Sequence, residues 1–233
     1  MSAYFKTVSL LLFFPLFLLS CGSLNSSAKN QKIPMDHSTS LLEAVGKRDV
    51  NLVTKILTSK PNLELKDGKS RTALMLATYN NDTEIAKLLI VAGADVNAQD
   101  NMLNSPFLYA GANGNLALVK MCLANGANFN VFNRYGGSAL IPAAERRHLD
   151  VVNLLVNTPG YPINHINNLG WTALLEAIIL GEKSKIQLEV VKLLVKGGCD
   201  VNIADKDGVS PLAHARKRSM NEVVNILTEA GAR

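Results

Sequence analysis

The chain has 233 residues, 48% hydrophobic and only 18% charged, which excludes a disordered polymer and fits one folded domain. Its 24 lysines and arginines against 19 acids give a net charge of +5 and a pI of about 9.1. That excess is spread thinly, and the longest basic cluster, Arg216–Lys217–Arg218, is too short for a nucleic-acid footprint, so no nucleic acid is expected as a partner.

In chain order the N-terminus comes first. Lys6 precedes an apolar run from Val8 to Leu19, interrupted by Pro15 and closed by LLSCGS, Leu18 to Ser23. About 12 apolar residues are too few to span a hydrocarbon core of ~30 Å as a helix. Residues 1–20 therefore read as a secretory signal peptide. The LLSC stretch resembles the lipobox of bacterial lipoproteins, with Leu18 and Ser20 at the −3 and −1 positions of the cleavage site. The resemblance implies diacylglycerol on the Cys21 sulfur, cleavage before Cys21 and acylation of the new amino group. Several acyl chains at ~0.8 kcal/mol per buried CH₂ would hold the protein on a membrane without a spanning helix. The plainer alternative is an ordinary signal peptide that happens to contain a cysteine. Gly22, rather than Asp, after Cys21 points to the outer membrane by resemblance to the sorting rule of some two-membrane bacteria. Removal of residues 1–20 takes one lysine from the +5 and leaves +4. Residues 21–37 are polar, Ser/Asn-rich and non-periodic, as expected of a flexible tether.

From residue 38 the chain repeats itself. TSLLEA at Thr39, TALMLA at Thr72, SPFLYA at Ser105, SALIPA at Ser138, TALLEA at Thr172 and SPLAHA at Ser210 are separated by 33, 33, 33, 34 and 38 positions. Each copy starts with Ser or Thr, has Leu or Phe two residues later and Ala five later. A paired-apolar site recurs as Ile56, Leu89, Cys122, Leu155, Leu194 and Leu227. A closing tetrad recurs as ADVN, ANFN and CDVN, with Asn164 in a looser version. The hydroxyl residue of each copy is expected to cap a first helix, with Pro106 and Pro211 at the position after it. The Leu and Ala columns form a helix face that neighbouring helices approach closely. Gly93, Gly126, Gly198 and Gly231 close the second helix, where a left-handed residue is needed.

The 33-residue period, with T-P-L-x-x-A and G-A-D-V-N patterns, is similar to ankyrin repeats over residues 36–233. The resemblance implies an all-α solenoid of about six stacked helix-turn-helix repeats with projecting hairpin loops. The repeats fall at about 38–66, 67–99, 100–132, 133–166, 167–204 and 205–233. The first copy departs by carrying Glu64 in place of the closing Asn, and the last is basic and polar on its second half; both fit wettable end repeats. The fourth carries Arg147 where others have Gly or Asn, plus one extra residue near TPGYPIN. The fifth has five extra residues near Glu182–Ile186, expected as a surface loop between its helices.

Chemistry is hard to place on this pattern. His37, His148, His165 and His214 are scattered, with no H-x-x-x-H spacing for a metal. His148 stands where ankyrin repeats often carry a histidine with a structural role between repeats. No nucleophile motif and no phosphate-cradling glycine loop is present, so no cofactor, no metal and no catalytic residue is expected. Cys122 and Cys199 should both be inside and unpaired, lying roughly 20 Å apart at ~10 Å per stacked helix pair.

Solenoids act by presenting surface. The resemblance places a partner on the hairpin tips and the exposed side of the first helices. Here those positions are Lys69, Arg71, Tyr79, Met102, Asn104, Arg134, Tyr135, Glu145, Arg146, Leu169, Trp171, Lys206 and Arg218. Tyr, Trp, Met and Arg are enriched at interface centres. Met102, Arg134 and Tyr135 come from consecutive repeats and form one stripe with Trp171. Trp171 itself reads two ways, as a partner contact or as a shield for the neighbouring hairpin.

The expected function is non-catalytic: a monomeric, lipid-anchored protein of the bacterial envelope that binds another protein, acidic by complementarity to the basic stripe. GWTALLEAIILG and DGVSPLAHA resemble segments of secreted bacterial ankyrin-repeat proteins, some linked with catalases and peroxide defence, so support of an envelope enzyme is one duty. Sequestering a toxin, as an immunity protein, is another. Two alternatives of other kinds are an exported effector binding a host protein and an envelope enzyme using the insertion with His148 or His165.

Overall fold

The computed structural model describes residues 37–233. The signal peptide, Cys21 and most of the tether lie outside the described residues. Among the described residues there are helices and turns without strands, in six pairs. The pairs are α1 His37–Gly46 with α2 Val50–Leu57, α3 Ala73–Tyr79 with α4 Thr83–Val91, and α5 Pro106–Ala112 with α6 Leu116–Ala124. They continue with α7 Leu140–Glu145 and α8 Leu149–Val156, α9 Ala173–Ile179 and α10 Lys185–Lys196, and α11 Pro211–Lys217 and α12 Asn221–Glu229. First helices pack on first helices and second on second along the stack.

Helices this short are unstable alone, so packing must hold them. The Leu/Phe column (Leu41, Leu74, Phe107, Leu140, Leu174, Leu212) and the Ala column (Ala44, Ala77, Ala110, Ala143, Ala177, Ala215) are all buried. Ile56, Leu89, Cys122, Leu155, Leu194 and Leu227 fill the layer between the two helix rows. All belong to one continuous hydrophobic cluster.

The hydroxyl caps form where expected in four repeats. Thr72, Ser105, Thr172 and Ser210 accept from the N–H three residues on. Two repeats differ. α1 starts at His37, so Thr39 lies inside the helix rather than at its cap. α7 has no side-chain cap at its own start; instead the Tyr161 hydroxyl reaches back and accepts from the Leu140 N–H at 3.1 Å. A second set of caps starts the second helices, with Asp49, Asp82, Asn115 and Ser184 accepting from backbone N–H groups.

Arg147, which breaks the Gly/Asn column between the helices, still takes the left-handed conformation at φ 64°. The insertion differs from a plain loop. Lys185 and Ile186 belong to α10, which runs 12 residues against 8 or 9 for the other second helices. Cys122 is buried, whereas Cys199 is only half-buried.

The hairpins rest on one side chain each. Asp67, Asp100, Asn133, Asn167 and Asp205 accept through Oδ1 from the N–H groups two and four residues on, at 2.8–3.0 Å. These Asx contacts replace strand pairing and fix the tip. Neighbouring hairpins are stitched by backbone bonds such as Asn168 N–H to the Tyr135 carbonyl at 2.9 Å.

Candidate functional site

The hairpins and the exposed sides of α3, α5, α7 and α9 enclose a groove of about 490 Å³. Eight of the thirteen expected positions line it: Tyr79, Met102, Asn104, Arg134, Tyr135, Glu145, Arg146 and Leu169. Its lip is apolar to an unusual degree for surface residues, with Met102 43%, Leu169 52% and Tyr135 56% exposed. Leu180, at the end of α9, adds a further exposed apolar side chain to the lining.

At one end, Tyr79 and Tyr109 meet at 4.3 Å between ring centroids. The Tyr79 hydroxyl donates to Asp100 Oδ2 at 2.6 Å and accepts from Asn104 Nδ2 at 3.0 Å. Burial, then the Asp100 carboxylate, push that hydroxyl up to about 12, so it stays protonated and fixed. In the middle, the Arg134 guanidinium lies 4.6 Å from the centroid of the Tyr135 ring, donates to the Tyr135 hydroxyl at 2.6 Å and reaches Met102 Sδ at 3.0 Å. Within the expected stripe, Arg134 thus joins Met102 and Tyr135 in one set of contacts, whereas Trp171 is not part of the groove lining. Arg146 donates to the Ala112 carbonyl at 2.8 Å.

The floor carries a residue the sequence reading did not select. Glu176 is only 6% exposed and accepts from Asn167 Nδ2 at 2.9 Å through Oε1. Burial, reinforced by the Glu145 carboxylate, raises its acid group to about 7 against the pull of Asn167. The signal was in the repeat alignment: an acid stands where the neighbouring copies read Tyr109 and Pro142.

Five expected positions lie outside the groove lining. Arg71 turns back onto Asp67 at 2.5 Å. Lys206 donates to the Asn168 carbonyl of the preceding hairpin. Arg218 is half-buried and donates to the Gly181 carbonyl at 2.7 Å and to the Ile179 carbonyl, fastening the α9–α10 turn. Arg147 holds the same insertion from the other side through Glu182 at 2.9 Å. Lys69 is exposed at its hairpin tip, and Trp171 is half-buried at its hairpin base.

His148, His165 and His214 have neighbours within the chain. His165 stacks on Phe132 at 4.0 Å and bonds the Gly136 carbonyl at 2.6 Å. His214 pairs with Asp205 at 2.7 Å. The His148 ring packs so closely on Gly114 that a Cβ there would come within 2.5 Å of Nδ1. Among the described residues no three His, Cys, Asp or Glu side chains converge as metal ligands, and no helix is long and apolar enough to cross a membrane.

The family model for ankyrin repeats (3 copies) matches residues 3–100, 107–205 and 140–233. The chain is an ankyrin-repeat protein. It is 49% identical to a crystallised ankyrin repeat domain from Acinetobacter baumannii AYE, covering 83% of this chain and 98% of that one with a TM-score of 0.81. The crystallised ankyrin repeat protein EF0377 is 40% identical, over 82% of this chain and 98% of that one, with a TM-score of 0.80. The ankyrin repeat domain of Bcl-3, at 24% identity and a TM-score of 0.73, shares the fold over 83% of this chain and 86% of its own. The ankyrin repeat protein YahD of Escherichia coli strain K12 is 40% identical over 99 residues, 42% of this chain, and the match spans about half (49%) of that relative. Ankyrin repeats are scaffolds for protein–protein interaction and in general non-catalytic.

Proposed function

We propose that this ankyrin-repeat protein is exported, anchored to the bacterial envelope through lipid on Cys21, and binds a protein partner in the groove between its hairpins and first helices. The observation that carries the binding site is the apolar lip of Met102, Tyr135 and Leu169 over a groove in which Tyr79 and the Arg134–Tyr135 pair are already held by hydrogen bonds. Preorganised aromatic and arginine anchors of this kind lower the ordering cost of association. The anchor rests on the LLSC stretch, the apolar run before it and the polar tether after it. Support of an envelope enzyme and toxin sequestration both fit such a scaffold.

An acidic partner draws its support from the net charge and from Lys69 at the rim. Arg71, Arg146, Lys206 and Arg218 are engaged by carboxylate or carbonyl oxygens of the same chain, which leaves fewer free cations than the sequence suggested. If rim charge governs, affinity falls between low and physiological ionic strength; a salt-independent affinity removes the acidic partner.

In-cell crosslinking tests the whole reading. The Cys21-anchored chain is expected to capture a protein that a Met102→Ala/Tyr135→Ala variant of unchanged helix content does not. Cys21→Ser is expected to move the chain from the membrane fraction to the soluble one. Equal capture by both chains would place the partner elsewhere, and membrane retention of Cys21→Ser would remove the lipid anchor.

A further inference from the structure

The same two positions of the repeat are occupied twice by a bonded polar pair. In the last repeat they hold Asp205 and His214, nine residues apart and 2.7 Å from each other, an acid facing a group that can carry the opposite charge. In the fifth repeat they hold Asn167 and Glu176, also nine residues apart and bonded at 2.9 Å. Here the acid faces a neutral amide. One oxygen is satisfied and the charge is not.

Nothing else in the described chain neutralises it. The ion pairs join Arg71 to Asp67, Arg147 to Glu182, Lys192 to Glu189 and His214 to Asp205, and none includes Glu176 or Glu145. The two arginines of the groove are held elsewhere, Arg134 on Tyr135 and Met102, Arg146 on the Ala112 carbonyl. Glu145, the last residue of α7, lines the same groove and adds a second negative charge close enough to raise the Glu176 acid group. A buried, uncompensated carboxylate is costly to a fold, and that cost is relieved when it takes up a proton or when a ligand supplies the opposite charge. The groove also offers what a cationic side chain with an aliphatic stem requires, an apolar and aromatic wall leading to an anionic floor.

We propose that the partner inserts one basic side chain, lysine or arginine, between Glu145 and Glu176, while apolar residues beside it cover Met102, Tyr135 and Leu169. This rests on the groove being the partner site. It narrows the partner to a chain segment with a basic residue in an apolar setting, whatever the charge of its rim.

The test is a random dodecapeptide display library selected on the full chain, followed by synthesis of the enriched sequence. Enriched peptides are expected to share a lysine or arginine flanked by apolar residues. Replacing it by norleucine or citrulline, and Glu176→Gln in the protein, are each expected to weaken binding by roughly 30-fold or more, and together by little beyond either alone. Glu176→Gln keeps an oxygen for Asn167 to bond, so folding is retained and is checked by circular dichroism. Peptides lacking a basic residue whose binding is lost in Met102→Ala/Tyr135→Ala would overturn the inference and leave the groove standing. So would basic peptides indifferent to both Glu176→Gln and Glu145→Gln. Selection that yields no peptide sensitive to any groove substitution would overturn the inference and the groove together.

Discussion

Asn167 and Glu176 are bonded at 2.9 Å, amide Nδ2 to carboxylate Oε1, with both residues buried at the foot of the groove. The same asparagine uses its Oδ1 to accept the N–H groups of Leu169 and Trp171 and so builds the hairpin tip. One side chain therefore ties the lip of the groove to its floor.

This arrangement sets a pH dependence. Burial raises the Glu176 acid group to about 7 in the folded chain against an ordinary value of 4.5, so between those values the folded state holds a proton that the unfolded state has lost. The raised value makes stability fall as pH rises through that window, with a loss on the order of 3 kcal/mol at the upper end. Glu176→Gln is expected to leave stability near pH 4.5 little changed and to raise it by about 2–3 kcal/mol at pH 8. Urea unfolding at the two pH values checks this; equal effects at both would contradict it.

Tyr161 supplies the cap that α7 lacks, and burial pushes its hydroxyl up to about 12, so it remains protonated over the accessible pH range. Its ring continues the aromatic row from Phe129, at 4.9 Å between centroids. Tyr161→Phe keeps the ring and leaves the buried Leu140 N–H without its acceptor, at an expected cost of about 1–3 kcal/mol. Thermal unfolding measures it, and an unchanged Tm would assign the stabilisation to the ring alone.

Neighbouring repeats are joined by the closing asparagines. Asn97 accepts from the Asn128 N–H at 2.8 Å and donates to the Gly126 carbonyl at 3.0 Å. Glu64, at the equivalent place in the first repeat, performs only the accepting half, taking the Asp95 N–H at 2.9 Å. Asn97→Ala is expected to cost about 1–2 kcal/mol, and Asn97→Asp, which keeps the acceptor, less. Denaturant unfolding of both variants separates the two bonds; equal losses would mean that the Gly126 contact carries the coupling.

Much of this is legible in the sequence. The 33-residue period fixes the helix pairs, the buried Leu and Ala columns and four of the six first-helix caps, because each follows from local pattern repeated in register. Tyr161 as a cap was not legible, since it acts 21 residues from its target and sits where the repeat is irregular. The groove was half legible. Periodicity locates the exposed positions, yet whether a side chain there is free depends on neighbours of other repeats, as Arg218 on Gly181 and Lys206 on Asn168 show. Glu176 escaped because its column carries unlike residues (Glu43, Leu76, Tyr109, Pro142 and His214) that are otherwise exposed or half-buried, so its burial beside a neutral amide shows only in the structure.

The two described cysteines give a chemical prediction. Burial drives the Cys122 thiol up to about 12, and burial with the Asp200 carboxylate does the same for Cys199. Neither is expected to react with a disulfide reagent at pH 7–8 within minutes while the chain is folded, and both are expected to react in denaturant. Counting titrated thiols on a Cys21→Ser chain tests this; rapid native labelling of Cys122 would show that α6 opens readily.

A partner seated in the groove leaves a direct trace. A photo-crosslinking residue placed in cells at Leu169, on the lip, is compared with one at Lys87, exposed on α4. The predicted result is a discrete crosslinked species from position 169, absent from position 87 and abolished when Met102→Ala/Tyr135→Ala is added. A species formed from position 87, or one from position 169 that survives the double substitution, would contradict the groove as the binding site.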